Sequence, residues 1–261
     1  MQLETVIYDK KENIVTISFN RPEVLNAQNR QLVEDFLAAL KAAEADSEVK
    51  VVIVKGEGRA FCSGDDLAED HTILSMEDGF RIIKTLQDTT RAIMGIPKPV
   101  IASIHGYALG AGCEWALNCD IRIAAEGTKF GFPEARVGAT VTNAGTKLLP
   151  LSVGLARAKE MVFTTEFIDA TQAEQWGLIN RVVPLENLEK TVIEMAEKIA
   201  QNSTFSIALS KKALNQGVYL GFEETLAQET RDIALVFQSL EAAQRAKSVL
   251  AATKKSTGKE K

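Results

Sequence analysis

Two glutamates stand in surroundings that suit catalysis better than solvation. In 106-GYALGAGCEWALNCD-120, Glu114 is flanked by Cys113, Trp115, Ala116, Leu117 and Cys119. Those neighbours cover every side of a helix, so the segment reads as buried all round. In 129-KFGFPEARVG-138, Glu134 follows Phe130, Phe132 and Pro133 and precedes Ala135 and Val137. A carboxylate is almost never fully buried without a partner or a task. A purely structural Glu114 would pair with a buried arginine such as Arg122, and an idle Glu134 would be an exposed loop acid. The alternative is that the two acids, on either side of one predicted strand, converge on a single cavity. Paired carboxylates in an apolar pocket suit acid/base chemistry, because their environments can push the two pKa values apart.

A place for a developing anion is also legible. Gly110, Ala111 and Gly112 precede Glu114 at the expected first turn of the helix. The first N–H groups of a helix lack intrahelical partners and can receive an anion, and glycine lets a ligand approach the backbone closely. In 60-AFCSGDDL-67, Ser63 and Gly64 form a turn after a predicted strand, which puts further N–H groups on the same edge of the core. Donors from two separate turns would make an oxyanion hole. A strand followed by SGDD is by itself usually just a loop.

The elements that must position these groups alternate between strand and helix. Residues 3–20 read as two strands joined around Lys10–Asn13, with Val15, Ile17 and Phe19 on one face. Leu32, Val33, Phe36, Leu37 and Leu40 fall at helical spacing within 30–45. The runs 49–56 and 100–106 are near-continuous apolar strands of the kind buried on both faces, separated by an amphipathic helix over 78–94 and followed by a strand over 120–127. Helical signals dominate from about 143: 153–163, 170–176, 185–201, 203–217, 221–237 and 239–253, interrupted by the short apolar piece 178–184. The pattern predicts an α/β core over residues 1–195 and a helical region over 196–261.

Composition narrows the partners. The 261 residues carry a formal net charge of −5 with both signs interspersed, which argues against a nucleic-acid partner, for which a clustered basic face is expected. Only the tail 254-KKSTGKEK-261 is charge-rich, and it reads as a solvated end. Three cysteines and two histidines lack the short paired spacing of a zinc site, so no metal is expected and the cysteines read as reduced core residues. No apolar run reaches membrane-spanning length, and MQLETVIYDKKEN lacks a signal-peptide pattern. The expectation is a soluble, cytoplasmic protein.

Four stretches in order, 20-NRPEVLNA-27, 60-AFCSGDDL-67, 97–138 and 173-AEQWGLINRVVP-184, resemble the crotonase superfamily, the enoyl-CoA hydratase/isomerase group. The 97–138 block is the specific signature, and the resemblance covers essentially the whole chain. It implies an α/β, crotonase-like spiral of ββα units with C-terminal helices that mediate trimerisation, as a homotrimer or a dimer of trimers. It implies an acyl-CoA thioester substrate and no separate cofactor, coenzyme A being part of the substrate. The thioester oxygen would lie between the N–H groups of Asp65 and Ala111. The rest of CoA would lie near Val24, Leu25, Ala27, Ala60, Ser63, Asp66 and Leu67. Glu114 and Glu134 fall on the two catalytic glutamates of the hydratases, which implies hydration of a 2-enoyl-CoA to a 3-hydroxyacyl-CoA.

The sequence departs from the family pattern in places. Val141, Thr142 and Asn143 stand where small residues or proline are usual, in a turn that helps to hold the catalytic water. Asp65 replaces an alanine, bringing a charge to an oxyanion position, and Ala111 replaces a glycine. These changes keep a double-bond isomerase using Glu134 alone as an alternative, along with other acyl-CoA reactions of the superfamily. Some relatives bind RNA, but a net charge of −5 without a dense basic helix argues against that here. His105 reads as structural, and His71 lies in a polar stretch after the CoA loop. Trp115 and Trp176 read as core residues. Arg21, Lys55, Arg59 and Lys247 are within reach of CoA phosphates or else solvated.

Overall fold

The computed structural model describes residues 3–69, 75–239, 244 and 247, and the chain divides into two compact units, Met1–Ala200 and Gln201–Lys261. The strands of the first unit are β1 Val6–Lys11, β2 Ile14–Phe19, β3 Val51–Gly56, β4 Val100–Ile104, β5 Tyr107–Leu109, β6 Ile121–Ala125, β7 Lys129–Gly131, β8 Ile168–Asp169 and β9 Arg181–Val183. Six of them form one sheet in the order β1-β2-β3-β4-β6-β9, and β5-β7-β8 form a small second sheet. β1 and β2 are an antiparallel hairpin, whereas β2, β3, β4, β6 and β9 pair in parallel. Parallel pairing requires crossovers. Helix α1 (Arg30–Ala45) joins β2 to β3, α2 (Met76–Gly95) joins β3 to β4, and α3 (Ala111–Asn118) joins β5 to β6. After β7 come α4 (Gly145–Val153), α5 (Leu155–Thr164), α6 (Ala170–Trp176) and α7 (Leu185–Ala200).

The two-sided burial of the central strands follows from their apolar runs. Val52, Val54, Ala102, Ile104 and Ala124 face a core shared with α1 and α3. Their alternates Val51, Ile53, Ile101, Ile123 and Ala125 face Leu188, Val192, Ala196 and Ala200 of α7. α1 starts where the Asn29 side chain accepts from Leu32 N at 2.9 Å, and it buries Leu32, Val33, Phe36 and Leu40 as their spacing requires. All eight residues of α3 are buried. Its Trp115 packs tilted against Phe19 and edge-on to Phe36, at centroid distances of 5.0 and 5.2 Å, and donates to Thr89 Oγ1 of α2 at 2.9 Å.

Several expectations shift. The predicted strand 100–106 ends at Ile104, and the chain turns through Gly106 before β5. Gly106 has φ +65°, and a Cβ there would lie 2.0 Å from the Arg59 carbonyl oxygen, so the run breaks where it crosses the 57–60 loop. The helix expected over 153–163 is split from α4 at Gly154. The apolar piece 178–184 supplies the edge strand β9. In the second unit, α8 (Thr204–Gly217) and α9 (Phe222–Gln238) contact each other, and α9 buries none of its residues within the chain. Most of the predicted helix 239–253 lies outside the described residues, as does His71.

Candidate active site

The site is built where three backbone segments run side by side. Cys62 N donates to Tyr107 O at 3.0 Å and Leu109 N donates to Cys62 O at 3.1 Å, so the 60–64 segment extends the small sheet beside β5. Gly112 touches it so closely that a Cβ would lie 2.3 Å from the Cys62 carbonyl oxygen, and one on Gly64 would lie 3.1 Å from that of Leu109. Gly64 therefore lies against Leu109 and Gly110. On the other side, Gln28 N donates to Gly64 O at 2.7 Å and Asp66 N donates to Gln28 O at 2.8 Å. In such a parallel bridge the intervening residue, Asp65, turns its own N–H away from Gln28. Ala111 opens α3, where a first-turn N–H has no intrahelical acceptor. The segments that carry Asp65 and Ala111 thus meet at the N-terminal end of α3.

The Asp65 side chain, which raised the question of a charge beside the anion, accepts from Gln28 Nε2 at 2.9 Å. Arg21 pairs with Asp66 at 2.8 Å and also donates to the Ala27 carbonyl, and Ser63 N donates to Leu25 O at 3.1 Å. These bonds tie the 21–28 and 60–67 loops together. On the resulting lip, Val24 and Leu67 are exposed and Ser63 and Asp66 partly so. Leu25 adopts φ +55°, while Ala27 and Ala60 are buried, the Ala60 carbonyl accepting from Asn26 Nδ2 at 2.8 Å.

Glu114 and Glu134 are both at this end of α3, in contrasting environments. Glu114 is 1% exposed and does not pair with Arg122, whose guanidinium instead donates to the carbonyls of Leu178, Cys119 and Leu117. Thr142 N donates to Glu114 Oε1, and Oε2 accepts from Thr142 Oγ1 at 3.1 Å and Asn143 Nδ2 at 2.8 Å. Burial pushes the Glu114 carboxyl up, and these hydrogen bonds pull the other way. Glu134 starts a short 3-10 turn fixed by Pro133. Its carboxyl lies near Gly110, with Oε1 3.4 Å from where a Cβ would stand. Both oxygens are buried and accept no hydrogen bond from another residue among those described. Burial pushes the Glu134 carboxyl up to about 7, the charges of Glu114 and Asp65 add to this, and its own backbone N–H opposes it.

Sequence reasoning missed the partners of Glu114. Thr142 and Asn143 registered only as departures from a pattern, and Gln28 did not register at all. The available signal was an asparagine before a helix, since Asn143 and Ala144 both adopt left-handed conformations, φ 43° and 64°. The other polar candidates have local partners: His105 Nε2 is 2.9 Å from Gly58 O, and Lys55 pairs with Glu57 at 3.0 Å. Arg59 and Lys247 are exposed. Trp176 is partly buried against the core, with Arg157 over its ring. Cys62 and Cys113, which flank the donor positions, are free and buried; burial pushes the Cys62 thiol up to about 12 and that of Cys113 higher still.

Known proteins share this arrangement of chain. The protein is 36% identical over 240 residues to a short-chain-enoyl-CoA hydratase of Clostridium acetobutylicum, covering 92% of each. It is 36% identical to a crotonyl-CoA hydratase of Syntrophomonas wolfei, covering 91% of each. The crystal structure of an enoyl-CoA hydratase from Bacillus anthracis superposes with a TM-score of 0.90 at 33% identity over 97% of both chains. Residues 9–257 match the enoyl-CoA hydratase/isomerase family over nearly the full length. With the α/β fold, the signature block and the whole-chain match in agreement, the chain belongs to the enoyl-CoA hydratase/isomerase family of the crotonase superfamily.

Proposed function

We propose that the protein hydrates a 2-enoyl-CoA thioester to the 3-hydroxyacyl-CoA. The observation that carries this reading is the contrast between a buried glutamate, Glu114, and a half-buried one, Glu134, beside the proposed pair of backbone donors. Glu114 is anchored by three hydrogen bonds and acts as the ionised base, while Glu134 has none from another residue and holds a proton near neutrality. Water attacks C3 as Glu114 takes its proton. The electron pair of the double bond moves onto the thioester oxygen, held by Asp65 N–H and Ala111 N–H, and Glu134 then delivers a proton to C2. Water adds across the double bond, and CoA stays attached throughout. The two donors supply the electrophilic assistance, so no step is routed through a metal or redox cofactor. An isomerase using Glu134 alone would have no use for the hydrogen bonds that hold Glu114.

Val24, Leu25, Ala27, Ala60, Ser63, Asp66 and Leu67 form the proposed CoA lip. We place homotrimer or hexamer contacts on the C-terminal helices, and the reaction in the cytoplasm, where three free buried cysteines suit a reducing compartment. No helix among the described residues is long and apolar enough to cross a membrane. The test is a panel of saturated, 2-enoyl, 3-enoyl and aromatic acyl-CoAs with products read by mass. Gain of water on a 2-enoyl substrate supports hydration, whereas unchanged mass with a moved double bond on a 3-enoyl substrate, and no hydration, would replace it with isomerisation.

A further inference from the structure

The 139–144 turn folds back over Glu114, and two of its three unexpected side chains, Thr142 and Asn143, reach the carboxylate. Asn143 is 1% exposed, and its Nδ2 lies 2.8 Å from Glu114 Oε2. Because a carboxylate only accepts, the amide must present its nitrogen to Glu114, which fixes its orientation. The Asn143 backbone is held as well: its carbonyl accepts from Thr90 Oγ1 at 3.4 Å, and Thr90 Oγ1 accepts from Asn118 Nδ2 at 3.1 Å. Asn118 lies one turn beyond Glu114 on α3, so helix α3, helix α2 and the turn are linked through one buried polar chain that ends on the carboxylate. Asn143 adopts φ 43°, a conformation that asparagine tolerates better than most residues.

The distribution of donors has a chemical consequence. Oε2 carries the Thr142 hydroxyl and the Asn143 amide, whereas Oε1 carries the Thr142 backbone N–H alone. The acceptor capacity that remains is greatest on Oε1. A Cβ on Gly145 would lie 3.3 Å from that same oxygen, so glycine there keeps its flank clear. Resting on the hydratase reading above, we infer that Asn143 is a positioning residue that locks Glu114 with Oε1 directed at the attacking water, and so sets hydration apart from the Glu134-dependent proton transfer at C2.

Space-filling alone would give a different pattern on mutation. Asn143→Gly removes the amide without straining the left-handed backbone. Asn143→Asp keeps the shape and backbone tolerance but replaces the donor with a second acceptor facing a carboxylate. Hydration of a 2-enoyl-CoA and solvent-deuterium exchange at C2 of a saturated acyl-CoA are to be measured for both, with folding checked by circular dichroism. The expected result is a fall in hydration kcat of about 10²-fold in Asn143→Gly, the scale of a misplaced catalytic group, with KM and C2 exchange nearly unchanged. Asn143→Asp should lose more. Wild-type-like hydration in Asn143→Asp, or parallel loss of hydration and exchange in both variants, overturns the inference. So does failure of both variants to fold, which would make Asn143 a structural requirement. Absence of hydration by the wild-type enzyme on every 2-enoyl-CoA would instead strike down the hydratase reading itself.

Discussion

Glu134 is a carboxyl whose surroundings favour its proton, and that makes its ionisation a cost to the fold. Its folded pKa of about 7 lies above the ordinary value of 4.5, because burial and the neighbouring charges of Glu114 and Asp65 oppose the anion. The folded state therefore binds the proton more tightly than the unfolded chain. Its contribution to stability is complete below about pH 4.5 and is lost as pH rises through 7. Glu134→Gln should accordingly stabilise the protein at pH 8.5 by on the order of 1–2 kcal/mol, solvent screening of the half-buried carboxyl reducing the full effect, and change little at pH 4.5. The same substitution should abolish C2 exchange and lower hydration by roughly 10²–10⁴. Equal melting temperatures for wild type and variant at pH 8.5 would show that the carboxyl is solvated after all. In the wild type, kcat/KM should fall above about pH 7 as Glu134 loses its proton, with both limbs of the profile belonging to the coupled pair. Both acids were legible in the sequence because apolar neighbours made them anomalous. Their difference was not: it depends on Thr142 and Asn143, 28 and 29 residues beyond Glu114, and no local pattern carries a contact at that distance.

Among the elements, α3 carries the most of the proposed chemistry. It supplies Ala111 and Glu114, and its glycine at position 112 lets the helix descend onto the Cys62 backbone. A methyl group on Gly112 would meet that carbonyl at 2.3 Å and Cys62 Cβ at 2.8 Å, and backbone cannot swing aside as a side-chain tip can. Gly112→Ala should cost about 1–3 kcal/mol and push Ala111 away from Asp65. Denaturant unfolding together with hydration kinetics checks this. A variant with wild-type stability and rate would mean that α3 and the 60–64 segment are less tightly joined than they appear in the structure. Helical spacing made α1 readable in advance, as apolar continuity did β3 and the buried α3. The 139–144 turn was not readable, since its shape depends on left-handed backbone at Asn143 and Ala144, and alanine gives no sequence signal for that conformation. The β4–β5 break is similar: Gly106 looks like one more residue of an apolar run until Arg59 crosses it.

For the whole molecule, the open quantity is how many chains assemble. Leu214, Phe222 and Phe237 are 75–77% exposed on α8 and α9, and a cleft of about 680 Å³ between those helices is lined by Leu209, Ala213, Val218, Ile233 and Val236. Apolar surface of this extent is characteristic of an interaction site. Ile207 is half-buried and Leu235 exposed, while Leu240, also expected at the interface, lies outside the described residues. The expected outcome by light scattering at micromolar concentration is a trimer or a pair of trimers. A monomer would refute it. The helices themselves were legible from periodicity, but their partner was not, because a 3.6-residue pattern marks an apolar stripe without saying what covers it.

The buried cysteines offer a clock for the opening of the catalytic end of the fold. Thiol reagents attack the thiolate, and Cys62, Cys113 and Cys119 are at most 3% exposed, with burial opposing ionisation of the two nearest the donors. Alkylation at pH 8 must therefore wait for α3 to lift off the 60–64 segment, and its rate reports how often that happens. Labelling should run at least ~10³-fold slower than in denaturant, in keeping with ordinary domain stability. An acyl-CoA that binds only the closed site should slow it further, in proportion to its occupancy. Rapid modification of Cys62 or Cys113 in fully active enzyme would reveal instead a catalytic end that breathes on its own, while the rest of the molecule stays folded.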